Sequence, residues 1–111
     1  MANTFKLKTF DGSSTSANTA MTVYTVPSST TTIILGLTLS NITSSTVYAT
    51  VLLENNDGDN IHFLKDIPIP TGSAVELMSG NKIVLEASDV LKTKSDTANS
   101  IDTALSVMEQ T

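Results

Sequence analysis

The stretch Val47-Tyr48-Ala49-Thr50-Val51-Leu52-Leu53-Glu54-Asn55-Asn56-Asp57-Gly58-Asp59-Asn60-Ile61-His62-Phe63-Leu64-Lys65 decides the fold class. Its first eight residues alternate: Val47, Ala49, Val51 and Leu53 on one side, Tyr48, Thr50, Leu52 and Glu54 on the other. Successive side chains of a strand point to opposite faces, so such a run buries one face. Six polar residues at 55–60 follow, with Gly58 free to take positive φ. A shorter alternating run resumes at Ile61. Strand, tight polar loop, strand is a hairpin.

The same period of two extends outward in both directions. Ile33, Leu35, Leu37 and Leu39 alternate with Ile34, Gly36, Thr38 and Ser40, and Ile101, Thr103, Leu105 and Val107 alternate with Asp102, Ala104, Ser106 and Met108. Shorter runs occupy 4–10, 21–26, 61–65, 74–78, 82–86 and 90–94, which predicts about nine short strands. Asp11-Gly12 and Asp57-Gly58 supply turn chemistry, and Ser79-Gly80-Asn81 is expected to join 74–78 to 82–86 as a second hairpin loop. Residues 87–94 could form a short helix capped by Ser88, but a turn followed by a strand agrees better with their neighbours. Ile67-Pro68-Ile69-Pro70 cannot sit inside a sheet, because proline donates no ladder hydrogen bond. It reads as an edge strand or a crossover between sheets. The expectation is an all-β, two-sheet antiparallel sandwich, jelly-roll or immunoglobulin-like. Residues 1–20 would form an N-terminal strand or extended arm with a Ser/Thr-rich loop, and 21–111 the sandwich proper, in one domain.

With 111 residues the chain fits a single domain. It has no cysteine, so it has neither a disulfide framework nor a thiolate metal site. Eleven acidic residues against six basic ones give a formal charge of −5, and all six cations are scattered lysines. An acidic chain without arginine is a poor match to a phosphate backbone, which argues against nucleic acid as a partner. No leader-like apolar region follows Met1, and Ile33-Ile34-Leu35-Gly36-Leu37 is far too short to span a membrane. The chain is expected to be soluble and made in the cytosol. Ser and Thr number 32. Hydroxyls can hydrate outward strand faces without charge.

Catalytic patterns are poorly supported. His62 is the sole histidine, and no nucleophile elbow accompanies it. Asn56, Asp57, Asp59 and Asn60 form an oxygen-rich cluster of the kind calcium accepts, but at a spacing unlike an EF-hand. Glu76, Glu86, Asp89 and Asp96 could be imagined as paired glycosidase carboxylates, yet few aromatics exist to stack a sugar. Turn caps and solvated strand faces explain these residues better. Asn41-Ile42-Thr43 matches a glycosylation sequon without a secretory signal to give it meaning. The expected cofactor is none. Tyr24, Tyr48, Phe63 and Met78 could be contact anchors or core. The apolar N-terminal segment, with Phe5, Leu7 and Phe10, should dock on its own sandwich or on a neighbouring subunit. Together with Tyr48 and the segment Ile67, Pro68, Ile69 and Pro70, these are the candidate interface residues.

Several stretches resemble a group of short virion proteins of tailed bacteriophages. They are Met1-Ala2-Asn3-Thr4-Phe5-Lys6, Thr22-Val23-Tyr24-Thr25-Val26-Pro27, the strand at 34–41, and Lys65-Asp66-Ile67-Pro68-Ile69-Pro70-Thr71-Gly72-Ser73. Val84-Leu85-Glu86-Ala87-Ser88-Asp89 and Leu105-Ser106-Val107-Met108-Glu109 are similar to that group as well. One departure is Ser88, where the group has Gly. The resemblance implies a structural β-sandwich of the particle, with a capsid decoration or cement role first. Neck, tail or fibre is the alternative. Its implied partners are the major capsid protein and copies of itself, with a trimer favoured, and its implied location is the virion. A calcium- or glycan-binding sandwich that recognises a host surface is the reading from another class.

Overall fold

The computed structural model describes residues 2–14, 16–77 and 82–111. The expected turn at Ser79-Gly80-Asn81 and the candidate anchor Met78 lie outside them. Nine strands form among the described residues: β1 Asn3–Phe10, β2 Met21–Thr25, β3 Thr31–Asn41, β4 Val47–Glu54, β5 Asn60–Ile69, β6 Ala74–Leu77, β7 Ile83–Leu85, β8 Val90–Ser95 and β9 Ile101–Gln110. Residues 87–94 are thus a turn and a strand, and the 55–60 loop joins β4 to β5 as a hairpin.

All strand pairs are antiparallel, in two sheets. The five-stranded sheet runs β1-β9-β3-β6, with β7 also on β3, and the four-stranded sheet runs β2-β8-β4-β5. The expected hairpin of 74–78 with 82–86 does not form: β6 and β7 both pair antiparallel with β3, so they run in the same direction. With β6 and β7 counted as one broken strand, the pairs are nested. β4 meets β5, β3 meets β6/β7, β2 meets β8 and β1 meets β9. One long hairpin folded over itself in this way is a jelly roll, which resolves the choice against the immunoglobulin-like alternative.

The space between the sheets is filled by inward residues of both, including Ile34, Leu37, Leu39, Val47, Val51, Ile69, Leu85, Leu91, Leu105 and Val107, all at most 1% exposed. Each such side chain contributes about 1.5–3 kcal/mol by leaving water. The alternations of β4 and β9 hold as read. That of β3 does not. A bulge between Ile34 and Gly36 inserts Leu35 as an extra residue against β9, and an extra residue flips the phase of everything beyond it. Thr32 and Ile34 therefore face inward before the bulge, and Leu37, Leu39 and Asn41 after it. Ile33 is left facing out.

Residues 61–65 and the proline segment are one strand, β5, at the edge of its sheet. A bulge opposite Thr50, with Asp66 at φ 51°, bends it midway. The Asp66 amide donates to Thr50 Oγ1 at 3.0 Å. The edge position suits Pro68, which is exposed. The same β5 pairing sets Ile69 opposite Val47 and puts it wholly in the core. Ile69 is therefore not a surface contact. At the turn Glu86–Asp89 the Asp89 amide donates to the Glu86 carbonyl, with Ser88 at φ 74°. A positive φ at the third turn position favours Gly, so Ser88 bears a local strain of about 1 kcal/mol.

Candidate docking surface

The first strand is not a loose arm. β1 pairs with β9 from Asn3↔Gln110 to Phe10↔Thr103, so the N-terminal segment docks on its own sandwich. Its loop is pinned as well. Gly12 N donates to Asp102 Oδ1 at 2.7 Å, and Asn18 N to the Ser95 carbonyl. A Cβ on Gly12 would sit 2.7–2.9 Å from Ile42, Ile101 and Asp102, so only glycine lets the chain pass here.

β1 alternates Phe-Lys-Leu-Lys. Lys6 and Lys8 share the inward phase with Val107 and Leu105, and Phe5 and Leu7 point out. Lys6 Nζ lies 2.8 Å from Oε1 of Glu109, which is only 4% exposed. Tyr24 reaches the same carboxylate from the opposite sheet, its hydroxyl donating to Oε2 at 2.5 Å and lying 2.8 Å from Thr32 Oγ1. The hydrogen bonds from Lys6 and Tyr24 hold the Glu109 carboxyl below its ordinary range. Burial, and then the bond to Glu109, push the Tyr24 phenol up to about 12. This cluster fastens the edge strand β1 to β9 and ties both sheets together. Sequence reading did not single out Glu109. The available signal was its phase, since it continues the inward series Ile101, Thr103, Leu105, Val107.

With Lys6 and Lys8 on the inward phase, the outward strand positions of the five-stranded sheet carry no lysine, and their charges are Asp102 on β9 and Glu76 on β6. Register places Phe5, Met108, Ile33 and Val84 side by side across four strands. Phe5 is 71% exposed and Val84 59%. The next row is Leu7, 65% exposed, with Ser106 and Gly36. A Cβ on Gly36 would meet nothing within 4 Å, so the centre of this face is open. One end closes on amides, with Gln110 Nε2 donating to Asn3 Oδ1. At the other end Thr9, Thr38, Ser40, Ala104, Asp11 and Asp102 line a shallow cavity of about 280 Å³. Ser13 N donates to Asp11 Oδ1 and helps hold that carboxyl below its usual range.

The remaining candidates scatter. Phe10 is half-buried on the inward phase of β1, opposite Thr103. Tyr48 is exposed beside Pro68 on the four-stranded sheet, and Ile67 packs partly against the core. Pro70 is exposed at the turn leaving β5, where its carbonyl accepts from Ser73 N. Tyr24 is buried, and Phe63 packs against the core. The proline segment and the β1 residues therefore lie on different sheets and do not form one patch.

Of the chemistry-bearing residues, Asn56, Asp89 and Asp96 are engaged in structure through their side chains. Asn55 Oδ1 accepts the amides of Asp57 and Asp59, and Asn56 N donates to Asp89 Oδ1. Asp89 also accepts from Glu86 N, and Asp96 from Tyr48 N. Among the described residues no three acidic or histidine side chains gather as a metal site. Asn41 of the sequon is buried, its amide donating to the Ser45 and Ile69 carbonyls.

No family model matches this sequence, and no curated protein matches it. Solved structures do. A chain of the Bacillus endospore appendages, described as a family of disulfide-linked pili, is 15% identical with a TM-score of 0.56, over 99% of this chain and 87% of that one. A chain from the acid-stable capsid of Helicobacter pylori bacteriophage KHP30 is 12% identical with a TM-score of 0.54, over 98% and 87%. At such identities the likeness is one of fold alone.

Proposed function

We propose that this chain is a structural protein of a bacteriophage particle that binds other proteins and catalyses nothing. Its first-choice role is a decoration, or cement, protein on the outside of the head. The observation that carries this reading is the near-complete overlap of its jelly roll with a chain of a phage capsid, with little left over on either side. The resemblance of its sequence segments to short tailed-phage virion proteins points the same way. A protein that binds only the assembled shell stabilises it by an amount set by its affinity and free concentration. The proposed partners are the major capsid protein and copies of itself, as trimers at three-fold positions. Purified chain mixed with undecorated capsids should bind saturably, at a fixed ratio to the coat protein. No binding at micromolar concentration overturns the reading.

The likeness to a pilus chain favours a second reading, a neck, tail or fibre component. Any filament of this chain would assemble without disulfides, since it has no cysteine. Copy number separates the two. Hundreds per particle mean decoration, and about three to twelve mean a ring or fibre, as closed symmetry implies.

A further inference from the structure

We propose that the outer face of the five-stranded sheet is the docking surface for a coat-protein segment that is apolar and carries a lysine or arginine. The apolar part would lie over Phe5, Met108, Ile33 and Val84, and the cation would enter the hydroxyl-lined cavity beside Asp11 and Asp102. This rests on the virion reading above and names the partner's chemistry.

Three observations select this face and this occupant. The first is size. Four strand positions at ~4.8 Å and ten residues at ~3.4 Å give a face on the order of 650 Å², near the ~800 Å² per partner of a standard interface. The second is composition. The centre of the face is apolar and free of charge, and its rim carries hydroxyls, amides and the carboxylates Asp11, Asp102 and Glu76, a polar rim of the kind expected of a contact patch. The third is charge. Asp102 Oδ1 accepts from Gly12 N, and the Asp11 and Asp102 carboxyls share the wall of the cavity. No strand position on this face carries a lysine. A second copy laid on the face would bring the carboxylates Asp11, Asp102 and Glu76, with Lys82 beside β7 as the flanking cation, so a basic partner complements it better than a copy does.

The test measures binding to undecorated capsids by the wild type and two sets of variants, each first checked for an unchanged melting temperature. Phe5→Asp, Val84→Asp and Gly36→Glu place a charge on the proposed face. Gly36→Glu removes no side chain and meets no neighbour, so it serves if the others fold poorly. His62→Asp and Lys94→Glu do the same on the opposite sheet. The expected result is binding weakened by about a hundredfold for the first set and unchanged for the second. Asp102→Asn should weaken binding about tenfold and flatten its salt dependence. Equal binding by the first set, or loss confined to the second, overturns the face assignment while leaving the virion reading intact. Loss of self-association in the first set with capsid binding preserved assigns the face to copies of this chain, and also overturns the inference. Absence of binding by the wild type overturns the decoration reading and this inference with it.

Discussion

Thr22, Lys92, Leu52 and His62 form a row across the four-stranded sheet, as Phe5, Met108, Ile33 and Val84 do across the five-stranded one. The two rows sit on the same core and obey the same alternation, yet their chemistry is opposite. Lys92 pairs with Glu54 at 3.2 Å, and Lys94 lies on the same outward phase. That surface is dressed for water. On the other sheet the lysines of the edge strand turn inward, and the bulge at Leu35 pushes Ile33 outward. Folding demands neither arrangement, because neither row is in the core. An exposed apolar row with no folding reason is the physical ground for the proposed contact there.

The largest effect should come from the floor the two rows share. Leu105→Ala, at a site with no exposed surface, is expected to cost about 2–5 kcal/mol in urea unfolding, and it would break both faces together.

Next comes the clamp that presents Phe5 and Leu7. Glu109→Gln removes the charge that holds Lys6 and should cost about 1.5–3 kcal/mol. The Glu109 carboxyl titrates lower in the folded chain than in the unfolded one. Between those two values the unfolded chain binds more protons, so the stabilisation is complete above the ordinary carboxyl range and fades as pH falls through the folded value. Melting temperature followed below about pH 4.5 should fall more steeply for the wild type than for Glu109→Gln. Amide exchange should show β1 loosening first, which would remove one face and leave the other.

A smaller change separates strain from surface. Ser88→Gly relieves the positive φ in the turn between β7 and β8, where the chain passes from one sheet to the other. It should raise stability by about 0.5–1 kcal/mol and alter neither row. The smallest effects sharpen the comparison itself. Lys92→Ala should cost less than about 1 kcal/mol, and less again in high salt. Val84→Thr should stay within about 0.5 kcal/mol. If Val84→Thr instead destabilises strongly, Val84 serves the fold and the contrast between faces loses its meaning.

The same two rows show what was legible in the sequence. Alternation in β4 and β9 revealed the strands and their inward residues, because period two is a local property. The prolines of β5 exclude a central strand for the same reason, and of the two readings left open, edge strand or crossover, the fold takes the edge. Alternation alone puts Ile33 on the face of Leu37 and Leu39, because nothing local marks Leu35 as the extra residue. A bulge is set by the partner strand, which lies some seventy positions away. Ile69 was grouped with its prolines for the contact surface, although pairing with Val47 buries it. The apolar character of Phe5 and Leu7 was plain. That they would lie in line with Met108, Ile33 and Val84 followed only from the nesting of strands, a long-range outcome.

The most direct test is a reconstruction of capsids saturated with this chain, imaged well enough to orient the sandwich. The account predicts Phe5 and Val84 against the coat protein, with a basic coat side chain in the cavity by Asp102 and with Lys92 and Lys94 turned to solvent. The sandwich seated on its four-stranded sheet, with the Phe5 row open to water, would contradict it.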